Sequence, residues 1–109
     1  MGIPEISVSE AQARLASPTP PRLIDVREED EWTFCRLPGA ELLPLSQFPV
    51  VATEQLTDFE QPLLVYCHHG GRSAHAVDYL LRKGYKDVTN LAGGIHAWSQ
   101  EIDPAIPVY

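Results

Sequence analysis

One stretch of this chain is built for chemistry. Residues 63–73 read LLVYCHHGGRS, an apolar run that stops at a cysteine and is followed at once by two histidines, two glycines, an arginine and a serine. The run predicts a buried strand ending at Tyr66, and the helical spacing of Ala76, Val77, Leu80 and Leu81 predicts a helix over 73–83. Residues Cys67 to Arg72 therefore bridge a strand end and a helix N-terminus, whose first N–H groups lack intrahelical partners and carry partial positive charge. Gly70 and Gly71 allow successive N–H groups to turn inward as an anion-binding nest. Arg72 adds a permanent forked cation, and His68 and His69 stand beside it. Thiols at helix N-termini or beside cations have pKa values of roughly 3.5–7.5, against about 8.5 for a free cysteine. The expected chemistry is nucleophilic attack by Cys67, with an anion held by His68, His69, Gly70, Gly71, Arg72 and Ser73.

Two blander readings compete. Cysteine is among the most buried residue types, so Cys67 could simply end a core strand; that accounts for the sulfur but not for the Gly-Gly-Arg-Ser behind it. Cys67, His68, His69 and His75 are also soft metal ligands. Adjacent histidines point in different directions, however, and no C-x-x-C or H-x-x-x-H spacing completes a tetrahedron, so no metal site is expected. His75 and His96 fall on helical segments as surface or satisfied side chains, and Trp32 and Trp98 read as core anchors.

The elements that must position the cysteine follow from pattern. Ser7 and Glu10 have capping-box spacing ahead of a short helix, which SPTPPR (17–22) ends. RLIDV (22–26) reads as a buried strand, REEDEWTF (27–34) as a helix with an acidic start, and LPGAELLPL (37–45) as a Pro-Gly turn with a short extended piece. SQFPVVATEQL (46–56) suits a helix opened by Ser46 and disturbed by Pro49. Gly84 sits where a residue just beyond a helix belongs. DVTNL (87–91) is a strand, AGGIHAW (92–98) a Gly-Gly turn into a helix, and DPAIPVY an extended tail. Short apolar strands alternating with helices imply an α/β domain around a largely parallel sheet.

Bulk composition narrows the partners. At 109 residues the expectation is one domain, 1–109, and the net charge of −7 argues against nucleic acid, since phosphate backbones select basic faces. No stretch approaches the ~20 apolar residues of a membrane span. The opening MGIPEISVSEAQ lacks the basic and apolar regions of a secretion signal. Two cysteines, Cys35 and Cys67, are too few for a disulfide scaffold, so the expected setting is reducing and cytoplasmic.

CHHGGRS followed by a helix resembles the C-x-x-G-x-R-S loop of rhodanese-like sulfurtransferases. LIDVRE (23–28), LPGAELLPL (37–45) and LAGGIHAW (91–98) resemble three further motifs of that family, in the same order. The resemblance implies a five-stranded parallel sheet flanked by helices on both faces. It also implies a Cys67 that takes a sulfane sulfur from an anionic donor such as thiosulfate, holds it as a persulfide, and passes it to cyanide or a thiol. No organic cofactor or metal is implied, and a protein could serve as sulfur donor or acceptor. Alternatively the loop is a persulfide carrier serving a partner enzyme. The related dual-specificity and arsenate-reducing phosphatases use C-x5-R, whereas Cys67 to Arg72 is C-x4-R, a smaller cradle that favours sulfur over phosphate. Asp25 and Arg27, at the end of their strand, are expected to support the loop through charge-assisted bonds or to form a simple structural pair. The family's usual GHIPGA reads CRLPGA here. Arg36 thus replaces a histidine as a possible supporting residue, and Cys35 becomes a possible resolving thiol for Cys67.

Overall fold

A computed structural model describes residues 2–109. Five strands, β1 (Glu5–Ile6), β2 (Arg22–Asp25), β3 (Glu41–Leu42), β4 (Leu63–Tyr66) and β5 (Val88–Leu91), form one sheet in the order β1-β5-β4-β2-β3. Every pairing is parallel, and β4 lies at the centre with all four residues buried. Parallel neighbours need connections long enough for helices, and four helices lie between the strands, α1 (Val8–Leu15), α2 (Glu29–Phe34), α3 (Phe48–Gln55) and α4 (Gly71–Arg82), while α5 (Gly94–Glu101) follows β5.

Side-chain alternation divides the core in two. Ile24, Val26, Leu63, Val65 and Cys67 point to one face, where Phe48 and Ala52 of α3 and Ala76, Val77 and Leu80 of α4 cover them. Leu23, Leu64, Tyr66 and Leu91 point to the other, beneath Val8 and Ala11 of α1 and Ile95 and Trp98 of α5. The period of two thus carries past the end of β4 and aims Cys67 at the α3–α4 face. Each such fully buried aliphatic side chain stabilises the fold by about 1.5–3 kcal/mol.

Most predicted elements form within one or two residues of their expected bounds, and the differences have local causes. Ser7 caps α1 by accepting from the Glu10 N–H at 3.2 Å, but the Glu10 carboxylate does not close the box and pairs with Arg14 instead. Pro49 does not disturb α3, because it lies in the first turn, where a missing N–H costs nothing. β1 has no apolar run to announce it; two residues suffice because they only extend an edge alongside β5. Trp32 is not a core anchor: no residue of α2 is buried, and its ring lies 4.7 Å beneath the Arg36 guanidinium. Among the described residues, no helix is long and apolar enough to cross a membrane.

Candidate active site

The chain leaves β4 into α4 on one face and β5 into α5 on the other. In open parallel sheets a crevice forms outside the strand ends where such connections diverge. The Cys67 loop occupies that position. It is held from the α5 side by backbone: the Ile95 N–H donates to the Cys67 carbonyl at 2.9 Å, and the His96 N–H to the His68 carbonyl at 3.0 Å. This approach dictates glycine at 94, with φ +61°, since a Cβ there would overlap both carbonyls. Two α5 donors therefore fix the loop's carbonyls, leaving its own N–H groups available to face the sulfur.

The Cys67 sulfur meets two donors. Gly70 N–H lies 3.1 Å from Sγ, and Ser73 Oγ lies 3.4 Å away. Gly70 reaches this position with φ +111° as the residue that caps α4, while Ser73 belongs to the helix's first turn. Asn90, in β5, steadies both. Its Oδ1 accepts from Ser73 Oγ at 2.5 Å, and its Nδ2 donates to the Gly70 carbonyl at 3.2 Å and to Glu5 at 2.9 Å. A hydroxyl has one proton, so Ser73 can donate to Asn90, to the Gly70 carbonyl at 3.2 Å or to Cys67, and a charged sulfur competes for it. Donors converging on one atom at a helix N-terminus stabilise negative charge there. Cys67 itself is 1% exposed.

Arg72 does not present a free fork to the loop. Its two terminal nitrogens clasp Glu31 of α2 at 2.6 and 2.8 Å. Glu31 also accepts from its own helix's Glu28 N–H at 3.1 Å and from the Tyr109 hydroxyl at 2.8 Å. Led by Arg72, these donors lower its pKa to about 2. Tyr109 in turn accepts from Arg27 at 2.8 Å, and burial pushes its phenol up to about 12. Arg27 is wholly buried and bonds Asp25 through both Nε and Nη2, the shortest contact being 2.7 Å; it also donates to the Cys35 carbonyl at 2.5 Å. Fully saturated in this way, a buried pair can offset its desolvation.

Asp25 and Arg27 thus connect to the loop through Tyr109, which bonds Glu31, the partner of Arg72, and stacks on His68. Arg36 is exposed, donates to the Trp32 carbonyl at 3.4 Å, and makes no hydrogen bond or ion pair with the loop among the described residues. Burial, with His69 adding to it, lowers the His68 pKa. His68 is stacked on Tyr109 at 3.8 Å and 4°, with His69 3.9 Å away. Cys35 packs in the α1–α5 core, its sulfur 3.8 Å from the Pro107 carbonyl, and both cysteines are free. The two thiols lie on opposite faces of the sheet, which corrects the resolving-thiol expectation.

Four residues around the loop escape sequence reasoning: Glu31, Asn90, His96 and Tyr109. Glu31 looks like one of several helix-opening acids and Asn90 like a strand residue of poor propensity. Tyr109 sits in a tail that reads as merely extended, yet a turn at 103–106 and the buried Ile106 bring it back over the loop. An asparagine within a short strand that also carries valine, threonine and leucine is the signal in the sequence, because a buried amide demands partners.

Comparison with known proteins agrees with this geometry. The rhodanese-like domain family model matches residues 7–101. The chloroplastic rhodanese-like/PpiC domain-containing protein 12 of Arabidopsis thaliana is 37% identical over 98% of this chain and 38% of its own length. The adenylyltransferase and sulfurtransferase MOCS3 of Drosophila ananassae is 33% identical over 83% of this chain and 21% of its own. The chain therefore spans well under half of the curated relatives it matches. Among solved structures, a rhodanese-like domain protein from Staphylococcus aureus superposes with a TM-score of 0.81 at 28% identity, covering 98% of this chain and 99% of that one. The human single-domain sulfurtransferase TSTD1 gives 0.78 at 28%, covering 92% and 98%. With the parallel five-stranded sheet, the cysteine loop between β4 and α4 and the family match over nearly the whole chain, this protein belongs to the rhodanese-like domain family, which includes sulfurtransferases.

Proposed function

We propose that the chain is a single rhodanese-like domain, 1–109, that transfers sulfane sulfur through a persulfide on Cys67. The observation that carries this reading is the pair of groups set against Cys67 Sγ at the start of α4, the N–H of the capping residue Gly70 at 3.1 Å and the Ser73 hydroxyl at 3.4 Å. The Cys67 thiolate attacks the outer sulfur of thiosulfate, the S–S bond of the donor breaks, and sulfite leaves with the bonding pair. The Cys-S-S⁻ that remains is an anion one atom further out, suited to the N–H groups of residues 68–73. Cyanide or a thiolate then attacks that outer sulfur and restores the Cys67 thiolate. Two half-reactions through a covalent intermediate give ping-pong kinetics. The chemistry calls for no cofactor, and a reducing compartment such as the cytoplasm would keep the thiol available.

A carrier reading has its own support. Cys67 is nearly inaccessible, and relatives such as MOCS3 hold this domain within a much longer chain, so sulfur could arrive from and leave to protein partners. The phosphatase or arsenate-reductase alternative is disfavoured, because the C-x4-R loop is short and the Arg72 fork is engaged by Glu31. Intact-mass spectrometry after exposure to thiosulfate, mercaptopyruvate and a cysteine-desulfurase donor in turn separates the readings. A gain of about 32 Da on wild type but not on Cys67→Ser marks the persulfide. Loading by thiosulfate supports the enzyme, and loading by the protein donor alone supports the carrier. No gain from any donor overturns both.

A further inference from the structure

The structure brings His96 up to the adjacent pair His68 and His69. His68 and His69 come from the loop, His96 from the first turn of α5, and one ring nitrogen from each lies within 4.8 Å of the other two. Ring centroids are 3.9 Å apart for His68 and His69, and 4.8 Å for His69 and His96. Two of the rings carry a buried nitrogen without a hydrogen-bond partner: His68 Nε2 and His96 Nδ1. Buried ring nitrogens are ordinarily satisfied, so two orphans in one cluster are atoms whose partner has still to be supplied. The arrangement is also held in place. The His96 N–H bonds the His68 carbonyl at 3.0 Å, which ties the two backbones together, and Tyr109 stacks on His68 and fixes its plane.

We propose that His68, His69 and His96 form a binding site for a late first-row transition-metal dication, with Zn²⁺ as the reference ion. Imidazole suits zinc, copper and nickel, and three imidazoles leave a fourth position open. Tetrahedral bonds of about 2.0–2.1 Å place ligand nitrogens roughly 3.4 Å apart. The cluster closes to that spacing by rotation of side chains, above all that of the exposed His69. The Cys67 sulfur is outside the group of mutually close ligand atoms and is held by Gly70 and Ser73 instead. The ion would therefore bind beside the nucleophile without consuming it, and would clamp the loop to α5. The neighbouring N-termini of α4 and α5 oppose a cation, so the site must rely on its ligands rather than on a favourable field.

The test uses the reduced full chain, titrated with Zn²⁺ by calorimetry and with Co²⁺ by visible absorption. Wild type should bind one ion per chain, with the Co²⁺ spectrum of a four-coordinate nitrogen site and no thiolate charge-transfer band. His96→Gln and, independently, His69→Gln should each weaken binding at least tenfold, with circular dichroism confirming that both remain folded. Cys67→Ser should bind as wild type does. Metal-free His96→Gln should load and transfer sulfur as wild type does, so failure of the metal site and failure of the sulfur-transfer reading give different results. Absence of stoichiometric binding, unchanged binding in folded His96→Gln and His69→Gln, or loss of binding in Cys67→Ser would each overturn the proposal.

Discussion

The chain's two cysteines lie in equivalent degrees of burial and opposite chemical surroundings. Cys67 is 1% exposed and Cys35 9%, so accessibility does not distinguish them. Around Cys67 stand donors: the backbone N–H of a helix-capping glycine at 3.1 Å and a hydroxyl in that helix's first turn at 3.4 Å. Around Cys35 stands an acceptor, the Pro107 carbonyl at 3.8 Å, with only a long contact of 3.9 Å from Arg27 Nη1. The first arrangement offers hydrogen-bond donors to whatever the sulfur carries, and the second sets a carbonyl oxygen against it. Position in the sheet explains the contrast. Cys67 follows the central strand and stands over a helix N-terminus, whereas Cys35 follows the end of α2 and fills space under α5.

The sharpest way to break this contrast is to remove each sulfur in turn. Cys67→Ala should abolish sulfur loading and transfer completely while the protein keeps its fold, as measured by intact mass and by thermal unfolding. Next in size is Gly94→Ala, which attacks the support rather than the nucleophile. The new Cβ would overlap the Cys67 and His68 carbonyls at a positive φ, costing about 2–4 kcal/mol of stability. Chemical denaturation should show that loss, and whatever folded protein remains should load sulfur poorly, because its loop has been pushed off α5. A Gly94→Ala protein of unchanged stability and loading would mean that α5 does not hold the loop.

Ser73→Ala is a finer cut, because it removes one donor from the sulfur and leaves Gly70. Losing one donor of an oxyanion-type site commonly costs about 10²–10³ in rate. Here the expected loss is about tenfold to a hundredfold in transfer rate, since Ser73 also serves Asn90 and is only part of the cradle. Stopped-flow kinetics of each half-reaction would place the loss, with the persulfide-forming step expected to suffer more.

How much of this was legible beforehand depends on the range of the interaction. Cys67, the glycines and the start of α4 are local: strand end, turn and helix cap follow one another within seven residues and are written in residue type. The sheet's parallel character was legible for the same reason. Arg72 was legible as a cation but not as a bound one, because its partner Glu31 lies forty-one positions away and looks like ordinary helix-opening charge. Tyr109 was illegible altogether. Its hydrogen bonds reach 78 and 82 residues back, and only the turn at the end of α5 brings it there.

Glu31 allows that hidden connection to be measured through pH. Its folded pKa is about 2 against an ordinary 4.5, so it contributes stability that is fully present above about pH 4.5 and is lost as pH falls towards 2. Solvent reaches the Arg72 side of the pair, 37% exposed, and screens it, so the contribution is about 1 kcal/mol. Urea titrations between pH 5 and pH 2 should therefore show a steeper decline for wild type than for Glu31→Gln. Identical slopes would separate Glu31 from the support of the loop.

Cys35→Ser should have the smallest effect, and it is the most informative about the sheet. The serine hydroxyl can still donate towards Pro107, so stability should fall by no more than about 1 kcal/mol and sulfur transfer should not change. The same geometry constrains oxidation. A disulfide needs Cα atoms within about 7 Å and converging Cβ vectors, whereas these two sulfurs pack into cores on opposite faces of a sheet whose strands here are fully buried. Mild oxidation of wild type with hydrogen peroxide should therefore convert Cys67 to a sulfenic acid, with water as the by-product, and leave Cys35 reactive to a thiol reagent only on denaturation. A mapped Cys35–Cys67 bridge would mean that the sheet around β2 and the edge strand β3 opens under native conditions, and it would turn the contrast between a working and a packing cysteine into a redox pair.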